Sequence, residues 1–415
     1  MELRKSAYIV LFVSVLLGVL SACNKNDIKP FNPNNPDAPT GGITPYEFVF
    51  KNNREGYVCY RVPAILQAPN KDILVFIEAR KNSCADGGNL DVGMKRSTDG
   101  GETWSDLQIL VDRGEERAGN IATVVDYLDP NHPEGRIFLI YHTSTGYRDK
   151  NNKANRIHEI WYKTSVDNGH TWSKEVNIST SVHRPMAPDY DPSYNFPEDW
   201  RANVIGPAAG LQIKNGPNKG RLYVAAHHSV GSTAVPFSNQ YSHGFYSDDH
   251  GKTWKVSLPI EMPCLDESTA AQLPDGSILQ NSRYNLQSDF SNQPIETKYR
   301  VLCLSKDGGH TWEKPAFNHE LPSPVCQGDM IDVEYKGKHY LLFSHPDSQE
   351  LRVNMTIFAS GDDGKTWPYK LKIDKGPGAY SAIVQLDEET IGLIYEYGNT
   401  GGILFAKVKL GDIIK

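Results

Sequence analysis

Short runs of β-branched and aromatic residues, with no helical spacing, lead repeatedly into one polar turn along this chain. Asp91–Arg96, His158–Thr164 and Val353–Ala359 are three such runs. The turn is S-x-D-x-G-x-x-W, with copies at Ser97–Trp104, Ser165–Trp172, Ser247–Trp254, Ser305–Trp312 and Ser360–Trp367. Irregular intervals between copies mean that insertions decorate a constant unit. A strand followed by this turn implies a hairpin. The Asp can accept hydrogen bonds from amides of its own turn, Gly can supply positive φ, and Trp can fold back as an apolar plug. Asp99, Asp167, Asp249, Asp307 and Asp362 are therefore expected to hold turns, although a single Asp-rich turn in isolation would suggest calcium.

The two ends of the pattern differ from the middle. An apolar run from Ala7 to Leu20 follows Arg4 and Lys5 and is too short for an ordinary spanning helix, so it reads as an export signal. It ends Leu20-Ser21-Ala22-Cys23, which resembles a bacterial lipobox, and implies a signal peptide over residues 1–22 and lipidation of Cys23. A plain secretory signal with a chance cysteine is the alternative. Pro30 to Gly42, rich in Asn, Pro and Gly, has no apolar periodicity, so residues 23–43 are expected to be a tether. The chain would then be exported and held at a bacterial membrane, on the periplasmic or the outer side, through its lipid alone.

Bulk composition narrows the chemistry. The net charge of the 415-residue chain is -7 and its Lys and Arg are scattered, which excludes a polybasic nucleic-acid surface. Binding an anion would then require a local cluster of cations. Beyond Cys23, Cys59, Cys84, Cys264, Cys303 and Cys326 are odd in number and lack the short paired spacings of a zinc site, so at most some pair. Gly364-Lys365-Thr366 and Gly251-Lys252-Thr253 imitate the end of a phosphate-binding loop but lack its upstream glycine. His227-His228 has no third ligand at metal spacing, and no G-x-S-x-G elbow occurs. No metal or organic cofactor is expected.

The repeat resembles the Asp box of sialidase propellers, where it joins the third and fourth strands of a blade on the side away from the active site. That resemblance implies an all-β fold: one single-domain, six-bladed β-propeller of the sialidase type over residues 44–415, with five boxed blades and an unboxed one at Tyr380–Lys409. Asp-box propellers carry unrelated activities, so function rests on the site.

Here too the resemblance extends to particular residues. Tyr60-Arg61-Val62-Pro63 is similar to the family's F/Y-R-I/V-P signature, and Arg283 in SILQNSR and Arg352 in SQELRVN match its other two arginines by context. Any one arginine is more often a surface ion-pair partner, but three in family order imply a clamp for a carboxylate. Asp86 stands six residues after Arg80 in the loop Lys81–Leu90 and matches the family's acid/base aspartate; Asp91 is its competitor. Arg80 resembles the secondary arginine, which contacts the substrate or the aspartate region. Tyr380 in GPGAYSA resembles the tyrosine nucleophile, Glu267 in LDEST its base, and Glu396 the glutamate that orients the first clamp. The implied activity is exo-α-sialidase hydrolysis with retention on a sialylated glycoprotein, glycolipid or oligosaccharide. A trans-sialidase or intramolecular variant and a non-catalytic glycan-binding propeller are the alternatives. Gly119-Asn120-Ile121-Ala122 lacks the proline usual after the asparagine, and the insert around His183 to Trp200 has no counterpart in the family pattern.

Overall fold

In the computed structural model, residues 47–230, 239–286 and 293–415 are described, and all of them fall within one compact unit. The expected signal peptide, Cys23, the tether and residues 44–46 lie outside the described residues. Strands dominate, as the β-branched runs require. Cys59–Gln67, Ile73–Arg80, Leu90–Ser97 and Gln108–Val111 form an antiparallel run. Arg117–Asp126, Arg136–Arg148, Ala154–Ser165 and Val176–Asn177 form the next. A parallel pair, Leu90 with Arg117, joins these runs, and Ala208–Ala209, parallel to Ala122 and Thr123, completes a continuous nine-stranded sheet. Trp200–Ile205, Leu222–Val230, Gln240–Ser247 and Lys255–Val256 follow, then Leu265–Gln272 through Ala316–Pro322, then Asp329–Tyr335 through Tyr369–Pro377.

The last sheet corrects the expectation that Tyr380–Lys409 forms a blade by itself. Ser381–Gln385, Thr390–Tyr397 and Gly402–Lys409 supply three strands, and the fourth, Glu47–Lys51, comes from the other end of the chain. An unpaired outer edge would leave a row of exposed amides and carbonyls, and the early strand covers it. The overall arrangement is all-β and propeller-like.

The five turns are built alike. In each, the Asp carboxylate accepts the amide of the Thr four residues on, at 2.8–2.9 Å. The glycine two residues after the Asp holds φ between +77° and +92°, a region that disfavours any side chain. The box tryptophans pack across strand groups: Trp172 on Phe76, Trp254 on Phe138 and Trp312 on Tyr223, while Trp104 meets Phe405 of the last sheet. The apolar core lies between successive groups in the same way. One cluster combines Phe76 and Leu139, another Phe138 and Val224, and a third joins Phe405 and Ile403 to Ile65 and Val75. Strands covered on both faces follow, and every residue of Ile73–Arg80 is buried.

Candidate active site

Register breaks at the ends of the first strands position the polar side chains. In Cys59–Gln67 the pairing shifts between Arg61 and Ala64, and Val62 sits at φ 55°. A β-branched residue in the left-handed region is strained by about 1–3 kcal/mol, so its surroundings must hold it there. Glu396 does so: its Oε1 accepts the Val62 amide at 2.9 Å, while Arg61 donates Nε at 3.2 Å and Nη2 at 3.1 Å to the same carboxylate. A matching device occurs in the next strand group. Asn120, at φ 43° within the Gly119–Ala122 shift, gives its amide to Glu78 at 2.8 Å.

The Leu265–Ser268 shift explains how two adjacent residues serve one arginine. On a regular strand Asp266 and Glu267 would point to opposite faces. Through the bulge, Arg283 donates Nε and Nη2 to the Asp266 carboxylate, both at 2.6 Å, and its Nη1 lies 2.7 Å from Glu267 Oε2. Tyr380 precedes the strand Ser381–Gln385 and donates its hydroxyl to Glu267 Oε1 in a short hydrogen bond, while Arg283 Nη1 donates to the phenol oxygen at 3.2 Å. The Arg61 and Arg352 guanidiniums lie 5.3 and 5.5 Å from the centre of the Tyr380 ring. Arg61, Arg283 and Arg352, distant in sequence, thus surround one phenol. Tyr380 is 8% exposed, so the ring is enclosed but its site is not sealed.

Burial drives the electrostatics of this centre. It pushes the Tyr380 hydroxyl well above the ordinary phenol value, with Glu267 adding to the rise and the three arginines opposing it. Burial also raises Glu267, with the Asp266 charge adding to it against the pull of Arg283. A raised carboxyl is a stronger base, which suits it to receive a phenol proton.

Asp86 lies on an exposed loop, its side chain 75% exposed. Its Oδ1 accepts Arg80 Nη1 at 2.9 Å and Arg61 Nη1 at 3.4 Å. Partial burial acts to raise its pKa, but Arg61 and Arg80 outweigh it, and the carboxyl ends below its ordinary value. Arg80 is itself buried, with Nη2 on Glu78 at 2.5 Å and Nη1 also on the Cys84 carbonyl at 2.6 Å. Asp91 takes a different place: buried, it accepts the Tyr57 hydroxyl at 2.6 Å and pairs with Lys81 at 3.0 Å.

Several functional partners were not foreseen from the sequence. Asp266 is one, and the adjacent Asp-Glu pair was its only signal. Glu78 is another, the partner of both Arg80 and Asn120. Arg300 is fully buried and donates to carbonyl oxygens, of the Asn281 side chain at 2.6 Å, Cys326 at 2.8 Å, the Asn281 backbone at 3.0 Å and Glu267 at 3.5 Å. Burial, with Arg283 nearby, lowers its pKa to about 9. His227 and His228 prove to be buried strand residues, the His228 ring stacked 3.6 Å from that of Trp200 at the end of the insert. Cys59 and Cys84 form a disulfide, whereas Cys264, Cys303 and Cys326 are free and buried.

Known proteins resemble this chain in sequence and in fold. Residues 71–395 match the family model described as BNR repeat-like domain. The chain is 31% identical over 392 residues to a sialidase of Micromonospora viridifaciens, an alignment covering 90% of this chain and 55% of that protein. It therefore spans about half the length of that curated relative. Among solved structures it superposes on the Hadza microbial sialidase Hz136 with a TM-score of 0.72 at 26% identity, covering 89% of this chain and 69% of the other. It also shares its fold with the intramolecular trans-sialidase from Ruminococcus gnavus, at TM-score 0.67 and 18% identity over 88% of this chain and 97% of that one. Matched over most of its length by that model, and similar to sialidases in sequence and in fold, the chain belongs to the BNR repeat-like domain family.

Proposed function

We propose that this protein is an exo-α-sialidase that releases terminal sialic acid from glycoproteins, glycolipids or oligosaccharides by retaining hydrolysis. The observation that carries the reading is the convergence of Arg61, Arg283 and Arg352 on a phenol already hydrogen-bonded to a buried carboxylate. Sialic acid bears its carboxylate on the anomeric carbon, and guanidinium forks match that group. A carboxylate nucleophile would be repelled there, whereas a neutral phenol is not; sialidases are known as the tyrosine exception among glycosidases.

In the cycle, the arginines seat the substrate carboxylate and Tyr380 Oη attacks C2 as its proton passes to Glu267. The bond from C2 to the aglycon oxygen breaks, and that oxygen takes the proton of Asp86. Water then attacks C2 of the tyrosyl intermediate and gives its proton to Asp86, while Glu267 returns a proton to the departing phenol. Two inversions leave the configuration retained. Asp86 must start protonated, although Arg61 and Arg80 favour its ionised form. A substrate carboxylate on Arg61 would displace Asp86 from that arginine and add a negative charge, both of which raise its pKa. Arg80 holds Asp86 in this reading, and Glu396 orients Arg61.

Counted separately, the two antiparallel runs of the nine-stranded sheet bring the strand groups to six, which supports a six-bladed propeller. Export, with Cys23 as lipid anchor, is part of the proposal, and the Cys59–Cys84 disulfide accords with an oxidising compartment.

The test is incubation with 4-methylumbelliferyl sialoside and 3′-sialyllactose, with products followed by NMR. The α-anomer of free sialic acid as the first product is expected. An anhydro sugar or transferred sialoside would assign the transfer chemistry instead, and binding without release a glycan-binding propeller. Tyr380→Phe is expected to lose most turnover while still binding; activity near that of the parent would remove Tyr380 from the mechanism.

A further inference from the structure

The loop that carries Asp86 has almost nothing to pack against. Residues 82, 83 and 85–88 are exposed, and neither Gly87 nor Gly88 has an atom within 4 Å of where a Cβ would stand. Two glycines beside the acid, one of them at φ 116°, would leave its backbone wide conformational freedom. The base of the loop closes through the Lys81 amide on the Asn89 carbonyl at 3.2 Å. Between those ends Arg61 Nη1 meets the Asp86 carboxylate at 3.4 Å, and two further anchors hold the loop. One is Arg80, which binds the Cys84 carbonyl and the Asp86 carboxylate with the same nitrogen. The other is the disulfide from Cys84 to Cys59, with Cα atoms 5.3 Å apart.

Both cysteines sit two residues from groups that the reaction must bring together: Cys59 from Arg61, Cys84 from Asp86. We propose that the Cys59–Cys84 disulfide is a positioning device, covalently fixing the proton donor in register with the first carboxylate clamp, so that protonation of a poor leaving group depends on the oxidised bond. This rests on Asp86 being the acid. A proton donor must stand within hydrogen-bond reach of the glycosidic oxygen, and a misplacement of about 1 Å already costs on the order of a hundredfold in rate. Cys59 and Cys84 are positioning residues, because neither touches the reacting atoms.

Leaving-group chemistry separates this role from a general contribution to folding. Kinetic constants kcat/KM report steps up to the tyrosyl intermediate, and the acidic phenol of 4-methylumbelliferyl sialoside departs without a proton, whereas the sugar alkoxide of 3′-sialyllactose does not. For Cys59→Ala/Cys84→Ala, kcat/KM on sialyllactose is expected to fall about tenfold or more, while the aryl sialoside loses less than about threefold. Mild reduction of the folded parent should give the same split and guards against a variant that does not fold. Equal losses on both substrates, or no loss on sialyllactose, would overturn the proposal. Hydrogen exchange of the amides of residues 81–89 gives a second readout independent of turnover. It should quicken about tenfold or more without the disulfide, and unchanged exchange would also overturn the proposal. If the parent cleaves neither substrate, the enzymatic reading has failed, and the exchange result alone decides whether the bond orders the loop.

Discussion

Replacing Glu267 by Gln keeps the side chain's size and its reach to Tyr380 but removes the proton acceptor. An unperturbed phenol is about one part in a thousand ionised at pH 7, a handicap of ~4 kcal/mol, and burial pushes Tyr380 further in that direction. With Glu267 able to take the proton as the bond to C2 forms, most of that handicap disappears; without it, kcat should fall about 10²–10⁴-fold. The three guanidiniums remain, since Arg283 keeps both bonds to Asp266. Ground-state binding should therefore persist. Loss of the Glu267 charge also removes one cause of the raised phenol pKa, so the residual rate of the variant should climb with pH as free phenolate accumulates. The assay is kcat on 4-methylumbelliferyl sialoside across pH 5–9 (about the range in which such a base titrates), alongside calorimetry with an unsaturated, non-hydrolysable sialic acid analogue. A kcat within about tenfold of the parent, or a loss of affinity as large as the loss of rate, would refute the assignment of Glu267 as base.

Other predictions concern the frame around the centre. Arg300→Lys cannot reach all of its carbonyl acceptors and should lower unfolding free energy by about 2–4 kcal/mol in urea titrations, with a displaced pH optimum because a cation behind Glu267 has moved. Asp329, fully buried and bound to Thr269 Oγ1 and the Ile383 amide, is pushed by burial to about 7. Its folded pKa lies above its unfolded one, so its contribution to stability is present at low pH and is lost as pH rises from about 4 towards 7, by at most about 4 kcal/mol. Asp329→Asn should flatten that slope in denaturation midpoints measured across the window, and an unchanged slope would place its titration elsewhere. Asp362→Ala removes acceptors for the Thr366 amide and hydroxyl at 2.9 and 2.7 Å and should destabilise by about 1–2 kcal/mol while kcat/KM stays at the parental value. A selective loss of activity would contradict a purely structural turn.

What could be read directly from the chain was local. The Ser, Asp, Gly and Trp of each box act within eight consecutive residues, so their spacing alone implies a hairpin turn, and the turns occur as expected at all five places. The site residues were legible in a different sense. Arg61, Asp86, Glu267, Arg283, Arg352 and Tyr380 stood out only because their short motifs resemble those of a family, and that resemblance, not the motifs themselves, implied that they meet. Their meeting depends on strand order and on bulges that turn neighbouring side chains the same way, as at Asp266 and Glu267. The same holds for Glu78 beside Arg80 and Asn120, for the carbonyl cage of Arg300, and for the pairing of Cys59 with Cys84 in preference to Cys264, Cys303 or Cys326. The strand Glu47–Lys51, which completes the last sheet, is the plainest case, because its partner lies at the far end of the chain. Short-range geometry follows from the covalent chain and its preferred dihedrals, whereas partners separated by hundreds of residues are chosen by which packing buries every strand face and satisfies every polar group at once.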